Sequence, residues 1–138
     1  MNWIELSQVQ QLVEIKELSK TRPQIIFKHS TRCSISSMAK SRLEKNGQPE
    51  TSDFYFLDLI KYRSLSNKIA EDFDVTHQSP QVLLIKNREC VYEESHSGIQ
   101  MDEIADQIEL NWFSLRCQAT TNTPLTQKLF AIQKKHWR

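Results

Sequence analysis

The chain lacks any apolar run approaching the length needed to cross a bilayer. It also lacks an excess of either charge. Eighteen lysines and arginines face seventeen acids, a formal net charge of +1. That balance gives no global attraction for nucleic acid or an anionic membrane surface, and neither partner is expected. Cysteine is scarce and odd in number, with only Cys33, Cys90 and Cys117. Three thiols do not make a disulfide framework, and no C-x-x-C or Cys/His spacing suggests zinc. The four histidines show no paired spacing, so no metal is expected. The opening Met1-Asn2-Trp3-Ile4-Glu5 lacks the basic-then-apolar layout of a signal peptide, and a cytoplasmic protein is expected. There is no internal repeat and no low-complexity segment.

What is present fits one domain with a sizeable core in 138 residues. A short strand is expected at Trp3 to Leu6. Ser7 is placed to cap a helix over about 8–19, with Val9, Leu12, Ile15 and Leu18 as its apolar stripe. Thr21-Arg22-Pro23 ends it. Gln24 to His29 reads as a buried strand, because its apolar residues are consecutive rather than alternating. A helix follows from about Cys33 to Lys45, with Ile35, Met38, Ala39 and Leu43 on one face and Asn46-Gly47 as its stop. Phe54 to Ile60 reads as a second buried strand. Residues 63–73 read as a helix with Leu65, Ile69, Ala70 and Phe73 inward. Val82 to Ile85 and Cys90 to Ser95 read as a hairpin about Lys86-Asn87-Arg88-Glu89. Ile99 to about Asn111 closes the domain as a helix carrying Met101, Ile104, Ala105, Ile108 and Trp112.

Alternation followed by a hairpin implies an α/β fold, a central mixed sheet of four to five strands flanked by helices. The right-handed crossover rule puts the first two long strands side by side and parallel. Residues 1–112 are read as this domain. Residues 113–138 are read as a polar and then basic tail, with a helix over 124–138 that carries Lys128, Lys134 and Lys135.

Cys33 carries the most information. It closes the turn after a buried strand and opens a helix, in the pattern Cys33-Ser34-Ile35-Ser36. A thiol there meets the unpaired N–H groups of a first helical turn and the positive end of its dipole, and both favour the thiolate. Because Ser36 stands three places on, no local second thiol can close an intramolecular disulfide. One-thiol exchange chemistry is the expectation. A buried, inert Cys33 is the plain alternative, and the polar neighbours Thr31, Arg32 and Ser34 argue against it. Arg32 either favours the Cys33 thiolate by its charge or is simply solvated. Cys90, in a hairpin strand, is read as structural. Cys117 is read as an idle thiol of the tail, with a resolving role as the alternative.

The element order, with a reactive cysteine after the first central strand and Ser79-Pro80 before the hairpin, resembles the thioredoxin fold. Finer matches narrow this. Lys28-His29-Ser30-Thr31-Arg32-Cys33-Ser34-Ile35-Ser36 is similar to the active-site segment of the monothiol bacilliredoxins, the YtxJ-like family. So are Arg63-Ser64-Leu65-Ser66-Asn67-Lys68-Ile69-Ala70, Val75-Thr76-His77-Gln78-Ser79-Pro80-Gln81, and Ser95-His96 followed by Ile99. The resemblance spans about residues 2–110.

That resemblance implies a cis Ser79–Pro80 bond facing the active cysteine; X-Pro is the peptide bond with reasonable access to cis. It implies removal of bacillithiol from protein mixed disulfides. Cys33 would be the nucleophile, Arg32 and Ser36 would stabilise its thiolate, and Thr31, Ser79, Pro80 and Gln81 would meet the substrate. Bacillithiol would be a co-substrate and no cofactor would be needed. The partners would be bacillithiol, bacillithiolated proteins and a partner reductase or second bacillithiol. Two alternatives stay open: a non-catalytic thioredoxin-like binding module, and a glutaredoxin-like protein using another small thiol. The chain departs from the family at Ser34, often proline, and at Arg88, often glycine. From thioredoxins it departs at Phe27, where they carry a buried acid.

Overall fold

The computed structural model describes residues 1–117, with side chains through Trp112. The elements are β1 (Trp3–Glu5), α1 (Val9–Leu18), β2 (Gln24–His29), α2 (Ser34–Asn46), β3 (Asp53–Asp58), α3 (Arg63–Asp72), β4 (Gln81–Lys86), β5 (Glu89–Ser95), a 3₁₀ turn at His96–Gly98, and α4 (Met101–Cys117). The five strands form one mixed sheet in the order β1-β3-β2-β4-β5. β2 and β3 are adjacent and parallel, as the crossover rule requires, while β4 runs antiparallel to both β2 and β5. Among the described residues, no helix is long and apolar enough to cross a membrane.

β2 lies at the centre and every one of its residues is buried. Its alternate side chains feed two cores. Ile25 and Phe27 pack with Ala39 and Leu43 of α2 and with Ile104 and Ile108 of α4. Ile26 packs on the other face with Leu12 and Ile15 of α1 and with Leu65 and Ile69 of α3. A strand covered on both faces reads as a continuous apolar run, and that made this element legible.

Four local expectations are corrected. Gln8, not Ser7, occupies the N-cap of α1, and the Gln11 Oε1 atom accepts from both the Ser7 and Gln8 N–H groups at 2.8 and 3.0 Å. The α1 stripe narrows to Leu12 and Ile15, with Val9 and Leu18 exposed. In α2 the buried stripe is Ser36, Ala39 and Leu43, an i, i+3, i+7 set, so Ile35 and Met38 stand in solvent. Apolar character alone mis-set the phase there, because the inward residue of the first turn is a serine. Finally, α4 continues past Asn111 to Cys117, because residues 112–117 contain neither glycine nor proline to stop it. The expected basic helix over 124–138 and the Cys117 side chain lie outside the described residues.

The hairpin turn holds Asn87 at φ 49° and Arg88 at φ 70°, the left-handed region that favours glycine at the second site. Its conformation is held from α1: the Asn87 and Arg88 N–H groups donate to the Ser19 backbone and side-chain oxygens at 3.1 and 2.9 Å, and the Arg88 guanidinium pairs with Glu17.

Candidate active site

β2 ends at His29, and the chain turns through Ser30-Thr31-Arg32, closed by the Cys33 N–H donating to the Ser30 oxygen at 3.2 Å. Cys33 is the N-cap of α2, in extended conformation (φ −111°, ψ 121°), and its carbonyl accepts the first helical bond from the Ser37 N–H at 3.1 Å. The thiol is half-buried, between exposed Thr31 and Arg32 on one side and exposed Ser34 and Ile35 on the other. It therefore sits beside the open N–H groups of a 13-residue helix. Exposed Ile35 and Met38 flank it along α2.

Ser36 is placed differently from expectation. Its side chain is fully buried, and its oxygen accepts from the Ser30 N–H at 3.0 Å and lies 2.7 Å from His29 Nδ1. With a neutral His29 ring that carries its proton on Nε2, the Ser36 hydroxyl accepts the Ser30 N–H and donates its own proton to His29 Nδ1. Ser36 thus ties both ends of the Cys33 turn together. His29 is buried beside the rings of Phe27 and Phe56, at 5.9 and 5.2 Å between centroids. Burial, then the Lys40 charge, pushes its pKa below the usual histidine value. A neutral ring is the form that accepts the Ser36 proton. Phe27, standing where thioredoxins carry an acid, is packed against Trp3 at 5.6 Å between centroids, so this position supplies no carboxyl proton relay.

The Ser79–Pro80 bond is cis. Pro80 immediately precedes β4, whose first residue, Gln81, is in register with Lys28 of β2. It therefore lies at the end of the sheet where β2 gives way to the Cys33 turn. The Pro80 carbonyl accepts from the His96 N–H at 3.1 Å. The His96 carbonyl in turn accepts from the Arg42 guanidinium of α2 at 3.3 Å, so the cysteine helix and the proline segment are joined through one backbone residue. His96 holds φ 57° in doing so.

Gln81 does not present a free edge. It lies between Lys28 and Ser95 in the sheet, and its buried amide holds the preceding loop, accepting from the Gln78 N–H and donating to the Thr76 carbonyl and to Glu93. Ser79 is half-buried at the end of that loop. Cys90 is half-buried against the core, and burial pushes its thiol up to about 12. Among the described residues no cluster of metal-ligating side chains occurs.

Residues 4–104 match the family described as monothiol bacilliredoxin BrxC. The chain belongs to that family. Its structure is similar to a thioredoxin-fold protein for which an oxidoreductase role is suggested, at 31% identity and TM-score 0.64, covering 78% of this chain and 93% of that one. It shares the fold of thioredoxins at lower identity. With that of Schistosoma mansoni the identity is 20% and the TM-score 0.60, over 78% of this chain and 94% of that one. With that of Malassezia sympodialis they are 14% and 0.61, over 78% and 88%. The thioredoxin fold is therefore established, with a thiol oxidoreductase role in general. Sequence reasoning missed the Ser36–His29 bond and the Arg42–His96–Pro80 link; the first was signalled only by a serine on the apolar phase of α2.

Proposed function

We propose that this bacilliredoxin-family protein removes bacillithiol from protein mixed disulfides by one-thiol exchange at Cys33. The observation that carries this reading is a half-buried thiol at the N-cap of α2 with a hydroxyl, not a thiol, three residues on, and that hydroxyl committed to Ser30 and His29.

In the first step the Cys33 thiolate attacks the bacillithiol sulfur. A Cys33–bacillithiol disulfide forms, the target–bacillithiol disulfide breaks, and the target cysteine leaves as a thiolate that takes a proton from water. One disulfide replaces another, so no external oxidant or reductant is consumed. The first-turn N–H groups of α2 offset the charge on the Cys33 thiolate before it attacks, and again once the second step frees it. Thr31 and Arg32, exposed in the turn, border the incoming disulfide, and Arg32 adds positive charge there. The Ser79–Pro80 segment offers backbone groups to an extended target segment. A second bacillithiol, or a partner reductase, then attacks the bacillithiol sulfur on Cys33 and returns the free thiolate.

The test is removal of bacillithiol from a modified protein by wild type, Cys33→Ala and Cys90→Ala. Wild type and Cys90→Ala are expected to be active and Cys33→Ala inactive. Equal activity in Cys33→Ala contradicts the assignment.

A further inference from the structure

Three sequence segments that mark the family meet at one atom, on the face of the sheet opposite the Cys33 helix. Lys28, on the central strand β2, is fully buried. Its ammonium donates to the Ser66 carbonyl of α3 at 3.1 Å and lies 3.3 Å from His77 Nδ1. The Ser66 hydroxyl lies 3.4 Å from the same ring nitrogen. Among the described residues Lys28 has no carboxylate partner. A buried cation without a counter-ion is costly, since it gives up its hydration with no opposite charge in return. Stability therefore does not account for this lysine.

Its placement does. His77 lies in the loop that ends at the cis Ser79–Pro80 bond, and its outer side is exposed, so its tie to the protein core runs through Nδ1. The loop has a second tie, the Gln81 amide to Gln78 and Thr76. Gln81 is the residue in register with Lys28. Two neighbouring side chains of the central sheet thus grip the same short loop from beneath. We propose that Lys28 is a positioning residue that fixes His77, and through it the Thr76–Pro80 segment against which the mixed disulfide docks. This rests on the exchange reading above, since it assigns that segment to the substrate.

The ring must accept at Nδ1 for the clamp to close, so His77 must be neutral. Burial, the Lys28 charge and the Arg63 charge of α3 all push its pKa down and keep it in that form. Burial also pushes Lys28 down, to about 8. Either way it retains hydrogens to donate.

The experiment compares full-length wild type, Lys28→Met, His77→Ala and His77→Asn. Two quantities are read: amide hydrogen exchange over residues 74–79, and KM and kcat for removing bacillithiol from a modified protein. Loss of a charge-assisted hydrogen bond is worth about tenfold or more in a local opening equilibrium. Lys28→Met and His77→Ala are expected to speed exchange in that segment by about this factor. Both are expected to raise KM by about tenfold with kcat within about twofold, because positioning acts on docking before the chemical step. His77→Asn places an acceptor oxygen near the lost nitrogen and is expected to restore both quantities. Lys28→Met is expected to unfold no more easily than wild type. Unchanged exchange in both Lys28→Met and His77→Ala overturns the clamp. Faster exchange with unchanged KM overturns its service to the substrate. Wild type that leaves bacillithiol on the target defeats the exchange reading, while the exchange rates over 74–79 still decide whether Lys28 holds the loop.

Discussion

Ser36 Oγ lies 2.7 Å from His29 Nδ1, while the same oxygen accepts the Ser30 N–H at 3.0 Å. The residue that a dithiol protein would use to expel its adduct is here a buried brace of the cysteine turn. A thioredoxin-fold site has been kept in shape without its second sulfur.

Ser36→Ala removes that brace and leaves a half-buried N–H and a buried ring nitrogen without their partner. The expected loss is about 1–3 kcal/mol of folding stability, the cost of stranding buried polar groups. Urea unfolding followed by circular dichroism reads it, as a lower midpoint with an unchanged slope. A midpoint equal to wild type would mean the brace carries no energy.

The His29 environment sets a pH dependence. Burial and Lys40 hold its folded pKa below its ordinary value of about 6.5. The unfolded chain then binds more protons than the folded one between those two values. Stability is complete above about pH 6.5 and is lost as the pH falls through the folded-state value. His77, also pushed down, contributes with the same sign. Urea midpoints measured from pH 7.5 to pH 5 are expected to fall, and more gently in His29→Gln, whose side-chain oxygen still accepts from Ser36. An unchanged slope in that variant would remove His29 from the account.

The hairpin offers a stabilising change. Arg88 holds φ 70°, where a residue with a Cβ pays roughly 1–2 kcal/mol that glycine does not. Its ion pair with Glu17 is solvent-exposed and returns little. Arg88→Gly is therefore expected to raise the thermal midpoint by a few degrees. A lower midpoint would show that the contacts to α1 outweigh the backbone strain.

The sequence made the strands and the crossover readable because β2, β3 and β4 are buried runs separated by clear breakers, such as Thr21-Arg22-Pro23. It placed Cys33 at a helix start because the apolar phase of α2 begins there. It did not reveal which face of α2 turns inward. That phase is set by a serine whose partners, Ser30 and His29, become neighbours only when β2 ends and the chain doubles back. Pattern reading counts apolar side chains, so it placed Ile35 and Met38 inside, and both are exposed. Lys28 was equally silent. A lysine between Phe27 and His29 carries no periodic signal, and its partners lie 38 and 49 residues away. The resemblance implied that Gln81 would meet the substrate, whereas the strand on each side of it encloses it in the sheet.

Cys90 is expected to stay silent in exchange. Its thiol is pushed up to about 12 by burial, so almost none is thiolate at neutral pH. Alkylation of the folded protein at pH 7 with peptide mapping is expected to label Cys33 and spare Cys90. Comparable labelling of the two would remove the selectivity claimed for the helix-opening thiol.

The central claim is that one thiol both takes and holds the adduct. Intact mass spectrometry tests it most directly. Reduced wild type is mixed with a bacillithiolated protein, with no other thiol present, and followed in time. A single bacillithiol is expected to appear on Cys33, to persist, and to leave when bacillithiol is added, while Cys33→Ala acquires none. Spontaneous loss of the adduct with formation of a Cys33–Cys117 disulfide, or transfer to the Cys33→Ala chain, would contradict it.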